Sequence, residues 1–251
     1  MNENVSTGTA AADGDIAFRS DMTVQLVKSA AQDGDVVFAA RVSTQGEQTV
    51  AIAGEEAATR DRGLVRYLMR DRHGSPFEHN SFTFYVEAPI FVFREFMRHR
   101  IASYNEESGR YREMRPVFYV PSRERNLIQV GKPGAYVFEP GTAEQHELVE
   151  ESVRNESTSA YRSYQRMLQA GVAREVARTV LPLNLYSSMY TTMNARALMN
   201  FLSLRTKKDN AAFPSFPQRE IEMVAELMEE HFRQAMPVTH AAFEDGGRIA
   251  P

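Results

Sequence analysis

The spacing of apolar residues along the chain predicts a fold that mixes helices with strands. Apolar positions from Val36 to Val42 and from Glu55 to Met69 recur with a helical period around an Ala40–Ser43 segment. Residues Ser81–Ala88 instead alternate between apolar and polar side chains, which is typical of a strand buried on one face. We therefore expect helices to precede a strand in this half of the chain.

A further helix is predicted directly after that strand. The helical period resumes after Pro89, a residue that the first turn of a helix tolerates, and continues to an Arg-His-Arg run that begins at Arg98. Proline and glycine are frequent after Tyr111, which predicts loops with only short extended pieces. The Arg-His-Arg run is thus expected where a helix ends.

The middle of the chain carries signals for a long helix. Thr142 and Gln145 match a capping box, and apolar residues keep a helical spacing until Gly171. A shorter helix is predicted for Ala173–Leu181, where it stops before a proline.

The last part of the chain predicts one strand and two helices. Leu185–Met193 is rich in Tyr, Thr and Met and is expected to be a strand, and Asn194 is a suitable N-cap for a helix over Ala195–Leu204. Gln218–Met236 forms the final predicted amphipathic helix. Its expected inward residues are Ile221, Val224, Leu227, Met228 and Phe232.

Helices and strands without a regular β-α-β alternation predict an α+β, or irregular α/β, fold. We expect a central, mostly antiparallel sheet flanked by long helices. Residues 1 to 21 are small and polar without periodicity, so we interpret them as a disordered tail, and residues 22–251 as a single domain. With 251 residues, 43% of them hydrophobic, the chain is long enough to bury a substantial core.

Composition excludes several classes of chemistry. The chain has no cysteine, so it has no disulfide, thiolate metal site, iron–sulfur cluster or thiol nucleophile. No segment approaches the length and apolarity of a membrane span, and no leader peptide is recognisable, so we predict a cytoplasmic protein that does not bind membranes. The net charge of −4 argues against binding to a nucleic-acid polymer.

Arginines are nonetheless concentrated in one region, which predicts a local site for a small phosphorylated ligand. The members of this cluster are Arg94, Arg98, Arg100, Arg110, Arg112, Arg115, Arg123 and Arg125. Within it, guanidinium groups can bind phosphate in a bidentate way, while serine and asparagine side chains can orient a base. The plainer interpretation is a solvated arginine-rich turn, held by Glu95, Glu106, Glu107 and Glu113.

The sequence Arg-His-Arg-x-x-Ser-x-Asn-x-x-Ser-x-Arg, from Arg98 to Arg110, resembles the signature of flavin-dependent thymidylate synthases (ThyX) at every fixed position. The resemblance extends over nearly everything after the predicted tail. The other matching segments are Ala40–Ser43, His73–His79, Phe82–Arg100, Arg174–Leu185 and Asn194–Arg205.

This resemblance implies a homotetramer that holds FAD between its subunits and shares its sites between them. It also implies that dUMP is converted to dTMP with methylenetetrahydrofolate as carbon donor and NADPH as reductant. The absence of cysteine agrees with it, because the unrelated classical thymidylate synthase attacks uracil C6 with a thiolate. The sequence leaves open the route by which the carbon reaches C5.

The resemblance also implies roles for individual residues, with Arg98 and Glu106 expected at both ligands. For FAD these are Ser75, Arg98, His99, Arg100, Glu106, Asn194, Ala195, Arg196 and Asn200. For dUMP they are Glu95, Phe96, Met97, Arg98, Glu106, Glu107, Ser108, Gly109, Arg110, Arg178 and Arg205. Arg205 is the predicted catalytic residue, whose guanidinium would stabilise negative charge on N3 and O4 of the pyrimidine.

Simpler roles for the same residues stay open. Arg178 and Arg205 can form ordinary ion pairs with Glu175 or Asp209. Asn194 can act only as an N-cap, and Asn200 only as a polar position on a helix face. The histidine spacing shows no metal-binding pattern, so we predict no metal.

Two features depart from the family pattern. Glu95 stands where the family usually has glutamine, which replaces an amide donor with a carboxylate, and the segment 207–217 is longer than usual. Two other functions therefore compete with the synthase. One is a nucleotide- or RNA-binding module without turnover, and the other is a flavoprotein that oxidises NADPH but has lost methyl transfer.

Overall fold

The structure, a computed structural model, describes residues 16–46 and 55–251. Its strands are β1 (Ala17–Arg19), β2 (Thr23–Ala30), β3 (Ser81–Pro89), β4 (Ser103–Glu106), β5 (Val117–Tyr119), β6 (Ile128–Lys132), β7 (Ala135–Glu139) and β8 (Tyr186–Met193). Its helices are α1 (Asp33–Gln45), α2 (Glu55–Arg70), α3 (Ile90–Phe96), α4 (Ala143–Gln169), α5 (Arg174–Ala177), α6 (Ala195–Arg205), α7 (Arg219–Ala235) and α8 (Pro237–Asp245). Helices and strands follow one another without a regular alternation, so the predicted α+β class is confirmed.

The described residues group into two compact units. The first unit comprises residues 16–20, 108–125 and 141–186, and the second comprises the rest of the described chain. The first unit contains the long helix α4 and a pair of parallel strands, β1 and β5. The predicted capping box at its start is confirmed, because the Gln145 amide donates to Thr142 Oγ1 over 3.3 Å and Thr142 N–H donates to Gln145 Oε1 over 2.8 Å.

The second unit is built on a four-stranded sheet in the order β2-β3-β8-β4. The pairs β2–β3 and β4–β8 are antiparallel, as predicted for the sheet. The alternation in β3 is also confirmed, since Phe82, Phe84 and Val86 are completely buried and the polar residues between them are not. A separate antiparallel pair, β6 and β7, forms the short extended pieces predicted among the loops.

Several predicted boundaries are wrong. The disordered tail predicted for residues 1 to 21 extends too far, because Ala17–Arg19 pair with β5 as a strand; residues 1–15 lie outside the described part of the chain. The helix predicted for Ala173–Leu181 is only α5, followed by a 3₁₀ turn over Arg178–Val180. Leu227, expected to face inward on α7, is 41% exposed.

Within the described residues, no helix is long and apolar enough to cross a membrane.

Candidate active site

Two helices of the second unit end beside each other, and their packing positions the predicted catalytic arginine. Phe96, the last residue of α3, and Phe201 on α6 are completely buried and stack with their ring centroids 4.9 Å apart. Arg205 closes α6 one turn after Phe201. The core contact between the two phenylalanines therefore brings Arg205 next to the end of α3.

Arg205 is held by two residues of the α3 end. Its Nη1 donates to Glu95 Oε2 in a short ion pair, and its Nε donates to His99 Nε2 over 3.0 Å. Its Nη2 also lies 3.5 Å from the Glu95 carbonyl oxygen. The predicted alternative pairing of Arg205 with Asp209 is thus replaced by a pairing with Glu95, more than a hundred residues earlier in the sequence.

His99 is a neutral acceptor in this cluster. Burial, together with the charge of Arg205, lowers the pKa of His99 to about 4. Its ring packs edge-on against Phe201 with a centroid distance of 4.9 Å. Since Nε2 accepts from Arg205, the ring proton must reside on Nδ1.

Tyr104 fixes the backbone of this turn. Its hydroxyl lies 2.9 Å from the carbonyl oxygen of Phe96 and 2.6 Å from that of His99. Burial raises the pKa of Tyr104 to about 12, so the hydroxyl keeps the proton that it donates. Tyr104 lies inside the predicted signature but occupies one of its variable positions, which is why the sequence did not single it out.

Two of the three arginines of the signature are available to a ligand. Arg98 and Arg100 are exposed, and neither guanidinium has a hydrogen-bond or ion-pair partner among residues 16–46 and 55–251. Met97 beside them is 44% exposed, whereas the buried Phe96 can offer a ligand only its backbone. The interpretation as an arginine-rich turn held by glutamates fails for these two arginines, because Glu95 pairs with Arg205 instead.

The signature continues into the edge strand of the sheet. Asn105 and Glu106 in β4 pair with Tyr190 and Met189 of β8. The amide of Glu107 extends this pairing by donating to the Ser188 carbonyl oxygen over 2.8 Å. Asn105 and Glu106 are exposed, so strand pairing fixes their backbone and leaves their side chains accessible.

A second group of predicted residues lies at the start of α6. Asn194 is its N-cap, with Oδ1 accepting from the Ala197 amide over 2.9 Å, and the Ala195 amide donates to Asn80 Oδ1 over 2.7 Å. Asn200 donates to the carbonyl oxygen of Arg196 over 3.1 Å. The predicted N-cap at Asn194 is thus confirmed, while Asn80 is a partner that sequence reasoning missed.

Arg196 connects this group to the predicted residue Ser75. Ser75 begins a 3₁₀ turn that ends at Glu78, and Arg196 Nη1 donates to Glu78 Oε1 over 2.6 Å. The same arginine donates from Nε to the Pro251 oxygen over 2.5 Å. A Cβ added at Gly74 would lie 2.5 Å from the guanidinium carbon of Arg196, so the arginine side chain would have to shift if residue 74 were larger than glycine.

The remaining predicted residues belong to the first unit. Ser108–Arg110 form a turn in which the Ser108 carbonyl oxygen accepts from the Tyr111 amide over 3.0 Å. Gly109 is buried, and a Cβ there would lie 3.2 Å from Cδ of Arg178. Glu175 pairs with Arg110 over 2.9 Å rather than with Arg178, which makes no ion pair within the described part of the chain. Gly109 and Arg178 are therefore neighbours in space although they are distant in sequence.

One group of acidic and histidine side chains has a spacing that a metal ion would fit, namely Glu229, His240 and Glu244. A guanidinium occupies this group instead. Arg248, only 1% exposed, donates from Nη1 to Glu229 Oε1 over 2.6 Å and also pairs closely with Glu244. The cluster is thus a buried ion-pair network.

Comparison with known proteins identifies the family. The family model described as "Thymidylate synthase complementing protein" matches residues 25–238. The flavin-dependent thymidylate synthase of Streptomyces coelicolor is 63% identical over 246 residues, which are 98% of this chain and 100% of that protein. The enzyme of the same description from Tropheryma whipplei is 60% identical, with 94% of this chain and 98% of that protein covered.

Solved structures agree with these relatives. A UMP/dUMP methylase, PolB of Streptomyces cacaoi, bound with 5-Br dUMP, superposes with a TM-score of 0.88 at 55% identity, over 94% of this chain and 100% of that chain. The same methylase bound with 5-Br UMP gives a TM-score of 0.86 at 54% identity, with the same coverage. The signature, the matching family model and these whole-length relatives place this chain in the flavin-dependent thymidylate synthase family.

Proposed function

We propose that this chain converts dUMP to dTMP, with methylenetetrahydrofolate as carbon donor and FAD, reduced by NADPH, as hydride source. The observation that carries the proposal is the guanidinium of Arg205, held by Glu95 and His99, together with the guanidinium groups of Arg98 and Arg100, which are unpaired among residues 16–46 and 55–251. One fixed cation at the end of α6 and two further cations in the turn after α3 suit ligands that carry a polar ring and phosphate groups. The relatives described as flavin-dependent thymidylate synthases support the same reaction.

Arg205 is the group that we assign to the chemistry. During methylation, C5 of the pyrimidine becomes nucleophilic while negative charge develops on N3 and O4. A guanidinium at that edge stabilises the charge, and no covalent bond to the enzyme is needed. This accords with a chain that has no cysteine. C5 gains the methylene carbon and loses its own hydrogen as a proton, the hydride from the reduced flavin completes the methyl group on the transferred carbon, and tetrahydrofolate is released.

The residues of the second unit fit a flavin dinucleotide. Arg98 and Arg100 carry two positive charges that have no partner in the described part of the chain, which suits the diphosphate of the dinucleotide. Ser75, Glu106 and the start of α6 supply the neighbouring polar groups. The flavin supplies the hydride. The protein side chains bind the flavin, orient it and exclude water.

The test is detection of dTMP after the purified protein is incubated anaerobically with dUMP, methylenetetrahydrofolate and NADPH, with and without added FAD. Flavin-dependent product is the expected result. Bound flavin and NADPH oxidation without dTMP would instead support a flavoprotein that has lost methyl transfer. Absence of flavin binding would favour the binding module.

UMP is a second candidate substrate. The superposed methylase carries both names, UMP and dUMP, in its description and is 54% identical to this chain. Running the same assay with UMP in place of dUMP, and with both together, measures the preference directly. We expect dUMP to be favoured, because the relative with the higher identity is described as a thymidylate synthase.

We further propose that the active protein is a homotetramer whose sites are shared between subunits. Predicted ligand residues lie in several separate segments and in both units, which favours assembly as the means of completing a site. Light scattering coupled to size-exclusion chromatography tests this proposal. A monomer that turns over dUMP would contradict it.

A further inference from the structure

The contact between Glu95 and Arg205 opposes the role proposed for Arg205. A carboxylate bound to a guanidinium neutralises most of its charge. An arginine that is to stabilise negative charge on a pyrimidine acts best when its charge is free. The Glu95 carboxylate therefore reduces the charge that Arg205 can offer to a ligand.

The ion pair between Glu95 and Arg205 is accessible to solvent on the Glu95 side. The Glu95 side chain is 33% exposed and that of Arg205 is 17% exposed. Glu95 is the penultimate residue of α3, so its carboxylate can rotate towards water without disturbing the buried Phe96–Phe201 contact. Because the carboxylate side of this pair is accessible to solvent, a ligand that offers Arg205 an acceptor can compete with Glu95 for it.

Arg205 has a second anchor that does not depend on Glu95. His99 Nε2 accepts from Arg205 Nε over 3.0 Å, and the His99 ring is itself held against Phe201. When the carboxylate leaves, this bond can keep the guanidinium in place. The terminal nitrogens of Arg205 can then bind a ligand.

We propose that Glu95 is a positioning residue that holds Arg205 through this ion pair until the pyrimidine of a bound nucleotide displaces its carboxylate. This inference rests on the proposed function. Glu95 then sets the affinity for the base while contributing nothing to the affinity for the phosphate.

The test compares Glu95→Gln with the unmodified protein, both loaded with FAD, by calorimetric titration. Glutamine keeps an oxygen that accepts from Arg205 but removes the charge. We expect the dissociation constant for dUMP to fall about fivefold, the equivalent of about 1 kcal/mol. The gain should be larger for 5-bromo-dUMP, because bromine makes N3 more acidic and the base more dependent on a free cation.

Deoxyribose 5-phosphate serves as the internal control, since it lacks the base. Its affinity should be equal in the two proteins, which also shows that the variant is folded. Glu230→Gln is the matched control variant, because it removes a carboxylate from an exposed ion pair with Arg233 on α7. It should leave all three affinities unchanged.

An unchanged or weaker affinity of Glu95→Gln for dUMP overturns the inference. An equal gain for dUMP and deoxyribose 5-phosphate overturns it as well, since the carboxylate would then act on the phosphate. Failure of the unmodified protein to bind dUMP is a different outcome, because it removes the proposed function itself.

Discussion

The chemistry proposed for this chain depends on Arg205, at the end of α6, and on its contact with His99. Arg205 depends on His99 being neutral, because a protonated imidazole would repel the guanidinium and lose its acceptor nitrogen. The low pKa of His99 secures this state throughout the neutral range. Arg205 is thus the hydrogen-bond donor and His99 the hydrogen-bond acceptor.

Arg205→Ala should abolish most thymidylate formation and leave FAD bound. Removing a group that stabilises developing charge typically lowers kcat by about 10²–10³-fold. Anaerobic turnover and the flavin absorbance of the purified variant measure the two effects separately. Arg233→Ala, which breaks only an exposed ion pair, is the control, and turnover of Arg205→Ala close to that control would refute the role.

The stability of the protein should fall as the pH decreases from about 6.5 towards 4. The pKa of His99 is lowered from 6.5 to about 4 in the folded chain, so the unfolded chain takes up this proton first and is favoured in that interval. His99→Gln removes this contribution and should flatten the pH dependence. Urea unfolding at pH 7 and pH 5 measures the difference.

Thr142→Ala is the matched control for that experiment, because it removes a helix cap without removing a titratable group. It should lower stability by about 1 kcal/mol at both pH values and keep the unmodified slope. Identical slopes for His99→Gln and the unmodified protein would show that His99 is not the titrating group.

At the level of helices and strands, Asn194 combines two roles that substitutions can separate. Its Oδ1 caps α6, and its amide is a predicted ligand of FAD. Asn194→Asp keeps the capping oxygen and loses the amide donor, whereas Asn194→Ala loses both. We expect Asp to preserve the melting temperature and weaken FAD binding about tenfold, and Ala to cost a further ~1 kcal/mol of stability.

Fluorescence titration of FAD and thermal unfolding measure these two properties. Normal FAD affinity in Asn194→Asp would mean that Asn194 is only a cap.

Elements with local signals were predictable from the sequence. The alternation of β3, the capping box of α4 and the cap of α6 all depend on residues a few positions apart. Strand β2 was missed because a register shift between Leu26 and Lys28 interrupts its alternation. Helix α8 was missed because its cap comes from Asp33, whose carboxylate accepts from the amides of Val238 and Thr239 over 2.9 and 2.8 Å.

The candidate site also has features that a local sequence signal predicts and features that it does not. The site residues could be identified because the signature has fixed spacing. The hydrogen-bond and ion-pair partners of these residues could not be predicted. Arg205 with Glu95, and Arg196 with Glu78, are separated by about a hundred residues or more. Such contacts follow from helix packing, which no local pattern encodes.

For the molecule as a whole, a buried network secures the last part of the second unit. Arg248 donates from Nη2 to Thr206 Oγ1 over 2.8 Å and to Glu229 Oε2 over 3.1 Å. Burial raises the pKa of Glu229, but its hydrogen bonds to His240 and Arg248 outweigh this effect and leave it lowered. Thr206 follows Arg205 directly, so the network also fixes the end of α6.

Arg248→Met should lower the free energy of unfolding by about 3–5 kcal/mol, because Glu229 would remain buried without its cation. Arg66→Ala, which breaks a largely exposed pair with Asp245, should cost less than about 1 kcal/mol. Urea titrations of the two variants give the comparison. Equal effects would mean that the network contributes no more than a surface pair.

Phe201 stacks on Phe96 and contacts His99. These contacts affect how mutations in this enzyme should be interpreted. Phe201 is completely buried, and its ring packs against both Phe96 at the end of α3, next to Glu95, and the imidazole of His99 that holds Arg205. A survey that scores only growth without thymidine would rank Phe201 with the catalytic groups. Measuring protein abundance alongside growth would separate the two, because a packing residue lowers the amount of folded protein whereas a catalytic residue lowers activity alone.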